Sequence, residues 1–160
     1  MNFIQRISKL LVFSIILSIG YSQSGRDLTG TTVTAEAYRA EGDPYTTVEF
    51  TVNVVSPDLN FADGVRFTFA ESVNILDAYV ETAMETEPAV VIAGHEVLFG
   101  DSSDGVFNGD GIFNNDNEYR FIVHIGAAGQ GILQIGYIVY DDGWAQDFCI
   151  NDENCEQCND

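Results

Sequence analysis

Basic residues are almost missing from this chain. Its 160 residues hold six Lys and Arg against 25 Asp and Glu, for a formal charge of −19, and Lys9 is the only lysine. A field of that sign repels nucleic acid and anionic membrane surfaces, so neither is expected as a partner. Histidine is scarce as well, with His95 and His124 as the two imidazoles. Cysteine is absent until Cys149, and Cys155 and Cys158 complete the set. Outside the first 22 residues no stretch sustains the 3.6-residue apolar period of an amphipathic helix, which excludes a helical domain.

What the chain does have begins with a leader. Arg6 and Lys9 precede an apolar run, Leu10–Ile19, followed by small residues at Gly20 and Ser22. This is the layout of a secretory signal peptide, and the run is too short to span a bilayer. Cleavage is expected after Ser22, with Ser24 as the alternative, giving a secreted or extracellular cell-surface protein with no membrane insertion of the mature chain. Loss of residues 1–22 would leave 138 residues, with four arginines (Arg26, Arg39, Arg66, Arg120) against 25 acids, a formal charge of −21. That length suffices for one domain with a core of its own.

After a polar lead-in over residues 23–30, alternating apolar and polar residues dominate. Val33, Ala35 and Ala37 alternate with threonines and Glu36. Glu41-Gly42-Asp43-Pro44 then makes a turn. Tyr45–Val55 is the clearest strand: Val48, Phe50, Val52 and Val54 lie in one phase and Thr47, Glu49, Thr51 and Asn53 in the other. Ser56–Gly64 reads as a loop closed by Asp-Gly, and Val65, Phe67 and Phe69 begin the next strand. In Val73–Val80 the phase slips between Ile75 and Leu76, which suggests a bulge or an edge. Ala89–Ile92 and Glu96–Phe99 flank a tight hairpin turn. Phe121, Val123 and Ile125 alternate with Arg120, Ile122 and His124. Gly131–Tyr140 is apolar in nearly both phases, as a central strand would be, and Trp144–Ile150 would make a last strand.

About eight or nine short strands with turn residues between them predict an all-β, antiparallel β-sandwich over residues 31–150. The order VEFTVNVVSPD, DGVRFTF and EYRFIVHI…GILQIGYIVYDDGW behind a leader resembles secreted β-sandwich modules of Bacteroidota-like bacterial surface proteins. An acidic glycine loop followed by two apolar strands is similar, more faintly, to cohesin-type sandwiches. The resemblance implies a non-catalytic structural or adhesive module, immunoglobulin-like or cohesin-like in architecture, with other surface proteins or polysaccharide as partners. It carries over no functional residues. Residues 151–160 read as an acidic tail or the start of a further module.

The richest chemistry lies in the loop between Phe99 and Tyr119. Asp101, Asp104, Asn108, Asp110, Asp116 and Glu118 supply hard oxygen donors, and Gly105, Gly109 and Gly111 let the backbone turn. Calcium takes roughly six to eight such oxygens and tolerates irregular geometry, so a calcium-stiffened loop stands beside a merely solvated one. The EF-hand spacing fails, because with Gly111 in the glycine slot the first ligand position falls on Val106. A second acidic group is Asp141, Asp142, Asp147 and Asp152.

Tyr137, Tyr140 and Trp144, with Tyr119, are candidates for a sugar-stacking platform, which stands against core or rim packing. Cys149, Cys155 and Cys158 allow one structural disulfide with one thiol left over. Phe99-Gly100-Asp101-Ser102 resembles the nucleophile block of GDSL-type esterases. No Asp-x-x-His follows it, however, and His124 alone would have to serve as base. The expectation is therefore no enzyme activity. The classes that stand are a structural or adhesive module, a carbohydrate-binding module, and last a small secreted hydrolase.

Overall fold

The computed structural model of the chain describes residues 14–19, 28, 30–56, 61–100, 111–126 and 132–141. Nine strands lie among them: β1 (Ser14–Ile19), β2 (Thr32–Tyr38), β3 (Tyr45–Val54), β4 (Ala62–Phe69), β5 (Ile75–Val80), β6 (Ala89–Ala93), β7 (Glu96–Gly100), β8 (Asn117–Gly126) and β9 (Ile132–Asp141). They form a five-stranded sheet in the order β1-β9-β4-β7-β6 and a four-stranded sheet in the order β2-β3-β8-β5. Every pairing is antiparallel except β1 with β9, which is parallel. The chain is therefore an all-β sandwich of two sheets. No helix of the described residues is long and apolar enough to cross a membrane.

Alternation explains the sandwich. One phase of each strand is apolar and buried, so the two sheets can remove it from water only by facing each other. In the four-stranded sheet Val48, Phe50, Val52 and Val54 of β3 pair with Val123, Phe121, Tyr119 and Asn117 of β8, in that order. In the five-stranded sheet Val65 and Phe67 of β4 sit between Phe99 and Val97 of β7 and Val139 and Tyr137 of β9. The inner faces interlock through aromatic rings. Phe50 stacks on Phe67 across the sheets with centroids 3.7 Å apart, and Phe67 meets Phe99 and Phe121 edge-on at 6.2 and 5.9 Å. Phe113, from outside the strands, closes the cluster against Phe121 at 5.4 Å and Tyr119 at 5.0 Å.

Several local features match the sequence signals. The register of β5 against β8 shifts between Ile75 and Asp77, so Ile75 is buried while Leu76 is 50% exposed. Gly94, at φ 62°, makes the β6–β7 turn with His95, and Gly42, at φ 97°, makes the turn before β3.

Two features differ from the sequence reading. Asp63-Gly64 does not close a loop. It lies inside β4, where the pairing with β9 shifts between Ala62 and Gly64, and a bulge accommodates the glycine as well as a turn does. The other difference is β1, which falls within the apolar run expected to be a leader and here adds a parallel strand to β9. The Trp144–Ile150 strand and the tail over residues 151–160 lie outside the described residues.

Two substitutions test this core. Phe67→Ala removes the ring that touches both sheets, and denaturant unfolding should report a loss of about 3–5 kcal/mol. Thr46 is fully buried and its hydroxyl has no hydrogen-bond partner, so Thr46→Val should raise stability by about 1 kcal/mol in the same measurement.

Candidate binding face

Because the apolar phase of each strand is turned inward, the polar phase of the four-stranded sheet forms its outer face. Cross-strand register sets its rows. Tyr38, Thr47, His124 and Asp77 form one row; Glu36, Glu49, Ile122 and Tyr79 the next; Thr34, Thr51 and Arg120 a third. Glu81 borders that third row, its N–H donating to the Arg120 carbonyl at 2.8 Å.

Two groups organise this face. The first is a ring cluster on His124. The Tyr45 ring lies 4.3 Å from it at a tilt of 32°, and the Tyr79 ring meets it edge-on at 5.8 Å. His124 Nδ1 is also 3.8 Å from the Asp77 carboxylate. The second group centres on the face's cation, Arg120. Its Nε donates to Glu49 Oε1 at 2.9 Å, one terminal nitrogen bonds the same oxygen, and the other lies 2.5 Å from Glu81 Oε2. The guanidinium thus ties β3, β8 and the residue that follows β5 together across the surface. Glu49 first, by its hydrogen bond, holds the Arg120 pKa above its ordinary value.

Burial raises the Tyr38 hydroxyl above its usual 10, and the charges of Glu49 and Glu81 add to it. Tyr79 is raised by burial and then by Glu81 and Asp77. These phenols are therefore neutral hydrogen-bonding groups over the physiological range.

The end of the long acidic loop is firmly seated beside this sheet. Gly111 N–H donates to the buried Asp63 carboxylate at 2.6 Å, and Phe113 exchanges backbone hydrogen bonds with Ala62 at 2.8 and 2.9 Å. Asn114 N–H donates to the Tyr119 hydroxyl at 2.7 Å, and the Asn115 side chain accepts from Ser56 N–H at 2.6 Å. Asp116, in the left-handed region at φ 58°, donates its N–H to Val54 at 2.8 Å. Between this segment and Thr82–Thr86 runs a polar cleft of about 530 Å³ that Glu85 and Glu118 help to line.

The residues expected from sequence fall as follows. Of the calcium candidates, Asp116 and Glu118 are exposed at the start of β8. Asp101, Asp104, Asn108 and Asp110 lie outside the described residues. Among the described residues no three His, Cys, Asp or Glu side chains come together that could hold a metal ion. In the second acidic group, Asp141 ends β9 and Asp142, Asp147 and Asp152 lie outside the described residues.

The platform through Tyr137 and Tyr140 requires correction. Tyr137 pairs with Phe67 and packs on the core. Tyr140 stands on the opposite side of β9, with the Arg66 guanidinium 5.6 Å from its ring centre. Three residues apart on a strand, they cannot share a plane. Trp144, Ser102 and the cysteines Cys149, Cys155 and Cys158 lie outside the described residues. His124, the base that a Ser102 hydrolase would need, is on the ring cluster of the outer face.

The sequence reading missed Tyr45 and Tyr79 as partners of His124. Their polar-phase positions were visible, but only the pairing register brings them together.

No protein-family model matches the chain, and no curated protein resembles it in sequence. Solved structures similar to it include an archaeal chitinase, at 16% identity and TM-score 0.44 over 69% of this chain and 21% of that one. The chitin-binding domain of a Pyrococcus furiosus chitinase follows at 11% identity and TM-score 0.41, over 75% of this chain and 91% of that one. A non-cellulosomal cohesin from Archaeoglobus fulgidus has 8% identity and TM-score 0.34, over 82% and 88%.

Alkaline unfolding checks the electrostatics of the face. The phenols of Tyr38, Tyr79, Tyr119 and Tyr140 all have folded-state pKa values raised above 10, each chiefly by burial. Once the pH passes 10, unfolded tyrosines lose protons that the folded chain still holds, so the unfolded state gains. The tyrosine contribution to stability should fall as pH rises above 10, read as the unfolding midpoint together with phenolate absorbance.

Proposed function

We propose that the protein is an exported, non-catalytic β-sandwich module of a bacterial cell surface that holds an uncharged polysaccharide on the outer face of its four-stranded sheet. The observation that carries this reading is the Tyr45–His124–Tyr79 ring cluster on the outer face of the four-stranded sheet. Sugar rings present weakly polar C–H faces that stack on such rings, and their hydroxyls bond to carboxylates, hydroxyls and guanidinium groups. Glu49, Tyr38 and Arg120 stand on the same face to supply those bonds. Net charge narrows the class of ligand. A chain this acidic repels uronates, sulfated glycans and nucleic acids, so a neutral polymer suits it. Export is supported by the leader-like residues 1–22, and the surface setting by the resemblance of the strand order to secreted modules.

Retention on insoluble neutral polysaccharides, with an anionic pectate as control, tests the proposal. The wild-type chain should be held by at least one neutral polymer and not by pectate. Tyr79→Ala and His124→Ala should each weaken retention about tenfold, close to 1.4 kcal/mol, with the unfolding midpoint nearly unchanged. Retention that survives both substitutions but is lost in Trp144→Ala would move the site away from this face.

A further inference from the structure

The edges of the two sheets are not equally protected. Exposed strand edges invite pairing with other chains, and proteins blunt them with charge, proline, bulges or short length. In this chain β6 is a five-residue edge, and β5 is six residues long with a register shift and Asp77 on it. β2 carries Glu36. β9 has none of these devices along its outer side. It runs ten residues, ILQIGYIVYD, without proline and without charge until Asp141. Its first residue, Ile132, is 68% exposed. One side of β9 is closed by β4, and the other is held by β1 in parallel register, from Ser14 against Ile132 to Ile19 against Tyr137. β1 also lies beside β2, the edge of the facing sheet. Yet β1 is part of the apolar run that export would remove.

We infer that in the exported protein the β9 edge accepts an extended, uncharged strand of another polypeptide, running parallel to β9 in the place that Ser14–Ile19 holds here. The inference rests on the export reading above. The seat itself describes the occupant. It is at least six residues long, free of charge and proline, rich in Ile, Leu and Ser as SIILSI is, and continuous with a parallel ladder. Backbone hydrogen bonds would supply affinity and alternate side chains the selectivity, the mode of strand addition. A second copy is disfavoured as occupant, because two chains of formal charge −21 repel each other. The partner's strand should accordingly be flanked by neutral or basic residues.

The test uses the full chain produced in an exporting bacterium, with N-terminal sequencing of the recovered protein. The probe is a synthetic peptide, SIILSI between lysine pairs. A control of equal charge carries Ile16→Pro and Leu17→Pro, which breaks the ladder. The expected result is a chain starting at Gln23 whose β9 amides (132–141) exchange hydrogen about tenfold more slowly with the peptide than with the control. Its unfolding midpoint should rise saturably with the same peptide.

A chain starting at Gln23 that shows no peptide-specific protection overturns this inference and leaves export standing. A recovered chain that still begins at Met1 overturns both, since β1 then stays in its seat. A dimer at micromolar concentration with β9 already protected would make a second copy the occupant and would also overturn it.

Discussion

The stack of Phe50 on Phe67 is the contact on which the rest of the structure depends. One ring comes from each sheet, so their 3.7 Å approach sets how the two layers face each other. Phe99, Phe121 and Phe113 then gather around Phe67 and one another. Rings of this size bury large areas, and their tilted and edge-on contacts add orientation to burial. A slip of one residue in β3 would turn Phe50 outward and Glu49 into the core. The rings therefore fix the register, and the register fixes every residue on the outer faces.

That dependence explains why the chemistry of this protein lies on a surface rather than in its interior. With Val48, Phe50 and Val52 committed inward, Tyr45, Thr47 and Glu49 must face out, and the same holds for Arg120 and His124 on β8. Cross-strand neighbours on such a face interact strongly enough to organise it. Arg120 joins the carboxylate of Glu49 on β3 to that of Glu81 just past β5, and His124 draws tyrosines from two neighbouring strands. In a chain with so few cations, Arg120 offsets part of the negative charge that Glu36, Glu49, Asp77 and Glu81 bring to this face.

The core also reaches beyond the strands. Phe113 is fully buried among rings of β8, and the bonds of Asp63, Ala62, Tyr119 and Val54 hold the residues around it. The far end of the acidic loop is thereby fixed to the sandwich while its composition stays hydrophilic. Edge chemistry follows a different logic. Charge and a bulge guard β5, short length guards β6, and β9 relies on a neighbouring strand.

Periodicity along the chain was enough to read the all-β class, the inward and outward phases of β3 and β8, the β6–β7 hairpin and the slip at Ile75–Leu76. Those features are local: an apolar phase, a turn glycine or a broken alternation is written in adjacent residues. Asp63-Gly64 was misread because a bulge and a turn use the same residue types, and only the β9 partner tells them apart. Tyr137 and Tyr140 looked like one platform until their odd spacing on β9 put them on opposite faces. The ring cluster on His124 joins residues up to 79 positions apart (Tyr45 to His124), and no local pattern encodes which strand lies beside which. Composition by itself determined the charge. Tertiary structure alone decided which tyrosines meet, which carboxylates hold Arg120, and that β1 lies beside β9, because backbone pairing between distant segments, not side-chain alternation, sets who the neighbours are.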